Sequence, residues 1–311
     1  MERIKRVTVI TFLALFLSAA VIFALLFFES GKTEDVYKRA VNAIENKEWE
    51  EAYDLIKQVP HYKSSQEIEK YVYPIMAYYK EYDTSQDKLN GMEVVSTHID
   101  SILEEIQNDE YKKNLSELKE TIAFQKEKMN VLVQYDQETK LLEGSIELIK
   151  SGKLAEAETQ LASVNSIRFI LEKKQLSAYV KLLHAAAVGD KKSIEEAAAL
   201  LNPAYTGSLS QDIRTVVVQH MDEDRWNKLY QEAAAKAAKE EAENTKGEGN
   251  ALQKVSTIAS IGDGRSSVIK TMGNPVSIQT IDSSFGKCEK LVYAGDVIVY
   301  IEDGEVTAVK G

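Results

Sequence analysis

The chain has 311 residues, with 38 Lys and Arg against 49 Asp and Glu and a formal net charge of -11, so nucleic acid is excluded as an expected partner because phosphate binding needs basic surface. Apolar residues make up 44% and charged residues 28%, a globular composition, and only 4 Pro and 15 Gly punctuate it, which favours long helices and excludes an all-β fold. The one cysteine, Cys288, can form neither an internal disulfide nor a CxxC metal site.

The first expected element is a membrane anchor. Val7 to Phe28 are 22 consecutive residues without a charge, which as a helix reach ~33 Å, enough to cross hydrocarbon. Arg3, Lys5 and Arg6 precede the run and stay cytoplasmic by the positive-inside rule, so the chain from Glu29 onward is expected outside the cell membrane. The competing reading is a signal peptide cleaved near Ser18-Ala19-Ala20, which would leave Val21 to Phe28 as an apolar mature terminus. No cysteine near the run could take a lipid. Residues 1–31 form this tip and anchor; beyond residue 28 the chain carries 35 positive and 48 negative charges.

Residues 32–228 read as all-α, because apolar residues recur at helical spacing with few breakers. Three sites share a pattern of large apolar, x, Glu, Ala, three residues, large apolar: Trp49 to Ala52 with Ile56, Leu154 to Ala157 with Leu161, and Ile194 to Ala197 with Leu201. The large residues share one helix face with the alanine, whose small side chain lets a neighbouring helix approach. Asn46-Lys47, Ser151-Gly152 and Gly189-Asp190 stand just upstream as helix stops, so each site is expected to be the turn and second helix of a hairpin. The pattern resembles degenerate tetratricopeptide repeats, with Pro60 and Pro203 near the closing position; the uneven spacing implies isolated hairpins rather than a regular array. Pro74 is expected to bend or break its helix. Ser85 to Ile149 reads as a further hairpin whose heptad, Leu115, Leu118, Ile122, Met129, Leu132 and Ile146, is interrupted by Gln125, Asp136 and Thr139, which predicts packing against other helices rather than a free coiled coil.

Residues 229–252 read as a solvated helical spacer, Tyr230 to Lys246, and a glycine linker, Gly247 to Asn250. Residues 253–311 then hold 7 of the 15 glycines with six cations and seven anions, and are expected to be a separate small α+β domain. Gly262-Asp263-Gly264 predicts a turn before a short helix ending at Met272, and Gly273-Asn274-Pro275 stops it. Three strands are expected, Lys290 to Tyr293, Val297 to Ile301 and Glu305 to Val309, burying one face on the short helix. The frame of Gly262, Gly264, Val268, Met272, Gly273 and Pro275, followed by Leu291-Val292-Tyr293 and the run Val299 to Val306, resembles the SmpA/OmlA family, the small lipoprotein of the outer-membrane β-barrel assembly machinery, whose fold is shared with β-lactamase inhibitor protein. The resemblance implies a protein-binding domain of the cell envelope.

Catalytic and metal motifs are not found in the sequence. The four histidines are scattered, no HExxH or Walker sequence occurs, and His220 with Asp224, at i,i+4 spacing that would place both on one helix face, is the best metal pair, with a hydrated acidic helix end as the plainer reading. No catalytic residue, cofactor or small-molecule substrate is expected. Protein binding has two candidates. Tyr71, Ile75, Tyr78 and Tyr82 follow helical spacing on one face, which fits a peptide or glycan groove or, more commonly, helix packing. Glu305, Thr307 and Val309 lie on a last strand whose free edge could take another strand. The expected function is a membrane-anchored, non-enzymatic scaffold or adaptor that binds other envelope proteins; the rivals are a cell-wall-active enzyme and a sensor or inhibitor using the C-terminal domain.

Overall fold

The computed structural model describes residues 31–244 and 259–311, so the expected anchor and the glycine linker lie outside the described residues. Among the described residues no helix is long and apolar enough to cross a membrane. The protein is mainly helical with one small antiparallel sheet near its C-terminus. It falls into two compact units, one ending at Ala123 and the other running from Phe124 to Gly311.

In the first unit, α1 occupies 31–45 and α2 Trp49–Lys57, joined at Lys47, which takes a positive φ of 60°. The alanine motif places Ala52 at 0% and Ile56 at 1% exposure, the close-approach face its spacing predicts. The next helix, α3 (Ser65–Tyr79), packs on α2 and runs on through Pro74 instead of breaking there. Pro74 is buried, and its missing N–H costs one helical bond without ending the helix. Thr84 caps α4 (Ser85–Ile102), its hydroxyl accepting from the Asp87 N–H at 3.1 Å. A helix of 42 residues, α5 (Asp109–Lys150), follows, capped by Asn108 through the N–H groups of Glu110 and Tyr111. The division between the units falls inside α5.

The second unit continues with α6 (Leu154–Ala162), a 3-10 turn over Ile167–Phe169, α7 (Ile170–Val188), α8 (Lys191–Ala198), α9 (Ser210–His220) and α10 (Glu223–Asn244). Gly152 and Gly189 take the left-handed conformation, φ 74° and 75°, at the two expected hairpin turns, where a Cβ would be strained. Ala157, Leu161, Ala197 and Leu201 are buried in one core with Leu142 and Ile149 of α5 and Leu176 and Leu182 of α7. The spacer helix begins at Glu223 rather than Tyr230, because Asp222 caps it and Trp226 inserts into this core, 2% exposed, donating to the carbonyls of Ala198 and Leu201 at 3.2 and 3.0 Å. Only the part beyond Trp226 has the Ala, Glu and Lys composition of a solvated helix.

The C-terminal segment forms α11 (Arg265–Met272) and four strands rather than three: β1 (Ser277–Ser283), β2 (Gly286–Val292), β3 (Ile298–Glu302) and β4 (Glu305–Lys310), a meander in the order β1-β2-β3-β4. Asp303 and Gly304, both at positive φ, make the two-residue turn between β3 and β4 that Asp-Gly predicts. Val268 of α11 packs with Leu291, Val299, Ile301 and Val306, as expected for a sheet covered by its short helix. The other face is covered as well: Cys288, Tyr300 and Ala308 pack on Phe124, Val131 and Tyr135 of α5. Gln125 bonds Cys288 Sγ at 3.2 Å, and Lys128 pairs with Glu302 at 2.6 Å with only 8% of the Lys128 side chain exposed. The polar interruption of the heptad at Gln125 is therefore part of the seat of the sheet.

Candidate protein-binding surfaces

The tyrosines of α3 divide between core and surface. Tyr71 is 3% exposed, stacked on Tyr111 with centroids 4.0 Å apart and bonded by Asn114 Nδ2 at 3.0 Å. Burial raises its pKa and, with Tyr71 beside it, pushes Tyr111 up to about 12, so both phenols stay neutral. Tyr71 is thus a packing residue. Tyr78 is half-buried against Tyr79, and Tyr82 lies past the end of α3 at Tyr79, where its ring occupies the space a Cβ at Gly91 would need. The expected single stripe of Tyr71, Tyr78 and Tyr82 does not form, because the helix stops before its last member.

A different concavity sits beside them, between the start of α2 and the end of α3. It encloses about 340 Å³ and is lined by Glu48, Trp49, Glu50, Glu51, Met76 and Tyr79. Trp49 and Met76 are partly buried, Tyr79 is 51% exposed, and the three glutamates are exposed along one rim. Arg39 reaches Glu51 at 3.5 Å, leaving the rim acidic. The sequence held this signal at Trp49-Glu50-Glu51, where the alanine motif gave Trp49 a purely packing role.

In the second unit the outer edge of β4 is capped. The Val306 N–H donates to the Asp263 carbonyl and the Gly262 N–H to the Val306 carbonyl, both at 2.9 Å. The Tyr135 hydroxyl donates to the Val309 carbonyl and accepts from the Val309 N–H at 3.2 Å. Glu305 bridges to Gly264, and Thr307 sits at the bulge, its hydroxyl directed to the Tyr300 carbonyl at 3.4 Å. The expected open edge at Glu305, Thr307 and Val309 is therefore occupied by the turn before α11 and by α5, contacts of long sequence separation that no local pattern signals.

A second cleft of about 360 Å³ lies between the 3-10 turn and residues 259–261, with Tyr135, Arg168, Leu171 and Val309 in its wall. Arg168 lies over the Tyr135 ring at 4.8 Å. His220 ends α9 and Asp224 lies in the first turn of α10, so the pair does not share a helix, and among the described residues no His, Cys, Asp and Glu side chains are grouped to hold a metal. Cys288 is buried and burial raises its thiol pKa, which disfavours the reactive thiolate. No family model, curated protein or solved structure matches the chain.

Proposed function

We propose that this chain is a bitopic, extracytoplasmic adaptor of the bacterial cell envelope that binds other proteins and performs no catalysis. The observation that carries the binding role is the groove of Trp49, Met76 and Tyr79 with its rim of Glu48, Glu50 and Glu51. Aromatic and methionine side chains supply contact area, and the carboxylates select a basic segment and disfavour an acidic one. The cationic flank of the apolar run Val7 to Phe28 supports the membrane placement, and the SmpA/OmlA-like frame supports an envelope role.

The test is a photo-crosslinker placed at Tyr79 of the full chain in intact cells, followed by identification of the captured segment. The expected capture is a segment rich in Lys or Arg, reduced by raised salt and by Glu50→Lys, an exposed substitution that leaves the packing of α2 intact. Capture that is indifferent to Glu50→Lys and to salt would overturn the groove as the recruiting surface. Turnover of an envelope polymer that depends on one carboxylate would replace the adaptor with an enzyme.

A further inference from the structure

The opposite edge of the sheet is that of β1, where no main-chain hydrogen bond among the described residues reaches Ile278, Thr280 or Asp282. Ser283 and Gly286 close the two-residue hairpin as a bonded pair, so the odd-numbered residues of β1 bond to β2. The bonds from the Tyr293 N–H to the Val297 carbonyl and from the Asp303 N–H to the Lys287 carbonyl give the same alternation, with odd positions of β2 facing β3 and even positions facing β1. Ile278, Thr280 and Asp282 therefore direct their N–H and C=O groups away from the sheet. Their side chains lie on the α11 side, where Ile278 ends a cross-strand row of Val309, Val299 and Leu291. The other three are buried; Ile278 is 48% exposed. β1 contains no Pro, Lys or bulge, the devices that usually blunt an edge.

We propose that β1 takes up an extended segment of a partner protein as a fifth, antiparallel strand, with Lys or Arg opposite Asp282, a β-branched residue opposite Thr280 and an apolar residue opposite Ile278. Read in the partner's own direction, the segment is basic, x, β-branched, x, apolar. The apolar residue extends the buried row by one position, and the main-chain groups of Ile278, Thr280 and Asp282 supply the pairing. Asp282 stands opposite Lys287 in β2, so a cation on its other side continues an alternation of charge and a carboxylate there would be repelled. A second copy of this chain fits poorly: antiparallel pairing centred on Thr280 sets Ile278 against Asp282 twice. This surface adds to the adaptor reading and is independent of the acidic groove in the other unit.

The experiment uses the full chain in nanodiscs and a fluorescent peptide, Ser-Thr-Arg-Ser-Val-Ser-Ile-Thr-Ser, read by polarisation. Thr280→Pro removes an outward N–H and leaves the bonds to β2 in place, so binding should weaken about tenfold, the equivalent of one main-chain pairing. Methylating the peptide nitrogen of Val, which faces β1, should weaken it similarly, whereas methylating the Ser after Arg, which faces away, should change it less than about twofold. Ile278→Lys serves as the second variant if Thr280→Pro lowers the melting temperature. Absence of binding by the parent peptide, equal binding by folded Thr280→Pro and Ile278→Lys, or equal effects of the two methylations would overturn the proposal. A concentration-dependent doubling of mass that Thr280→Pro abolishes would assign the edge to a second copy instead. Because the peptide assay does not involve Glu50, its failure leaves the groove reading standing, and the reverse also holds.

Discussion

Glu34 shows how strongly a surface carboxylate responds to its neighbours. The Tyr62 hydroxyl first, then the ammonium groups of Lys63 and Lys38, hold its pKa at about 2 instead of 4.5. A folded pKa below the unfolded one means that the contact stabilises the first unit fully above about pH 4.5 and is lost as pH falls toward 2. The Glu34 side chain is 32% exposed, so salt screens part of the effect. Tyr62→Phe should therefore return the Glu34 midpoint toward 4.5, followed by its carboxyl carbon shift during acid titration; an unchanged midpoint would mean that the lysines alone depress it. At this scale the sequence was informative wherever conformation is local. Gly152 and Gly189 were readable as turns, and Asp303-Gly304 as a hairpin. Gln125 was not, since its partners Cys288 and Glu302 lie at the other end of the chain.

Among the elements, α2, α6 and α8 were legible because a buried alanine between two large apolar residues has few other uses in a charged helix. β1 was not. Its sequence, SIQTIDS, buries little, so it lacks the apolar run or clean alternation that marks a strand, and only its partner β2 defines it. The same gap hid the second covered face of the sheet. The pattern of residues 253–311 predicts one buried face, yet Cys288, Tyr300 and Ala308 also pack on α5. Of two fragments, residues 124–311 should melt as one cooperative unit, whereas 253–311 alone should be marginal, bind a hydrophobic dye and sharpen its amide spectrum when a peptide covering 122–140 is added. An isolated 253–311 fragment as stable as the longer one would show that the α5 seat contributes nothing to the sheet.

For the whole molecule, charge and topology set the expectations. Of the 35 positive and 48 negative charges beyond residue 28, residues 253–311 hold six and seven, so nearly all the excess is in the helical part. That asymmetry predicts salt-sensitive association at the helical groove and salt-tolerant association at β1. The proposed orientation also predicts that protease added to intact cells or spheroplasts digests the chain beyond Glu29; protection of that whole region until lysis would reverse the topology.

The pairing of Tyr135 with Val309 joins residues 174 positions apart, and it carries a consequence for how the protein is made. Closing so long a loop is entropically unfavourable and slow compared with forming the helical hairpins, which need only local contacts. During synthesis, Phe124, Val131 and Tyr135 lack the cover of Cys288, Tyr300 and Ala308 until the sheet has formed. A chain in which the sheet is unformed leaves that stripe of α5 without these partners and open to chaperones and proteases. Tyr135 thus ties the order of folding to the order of synthesis: the helical hairpins can form first, and the sheet takes its seat on α5 only after its own strands have paired.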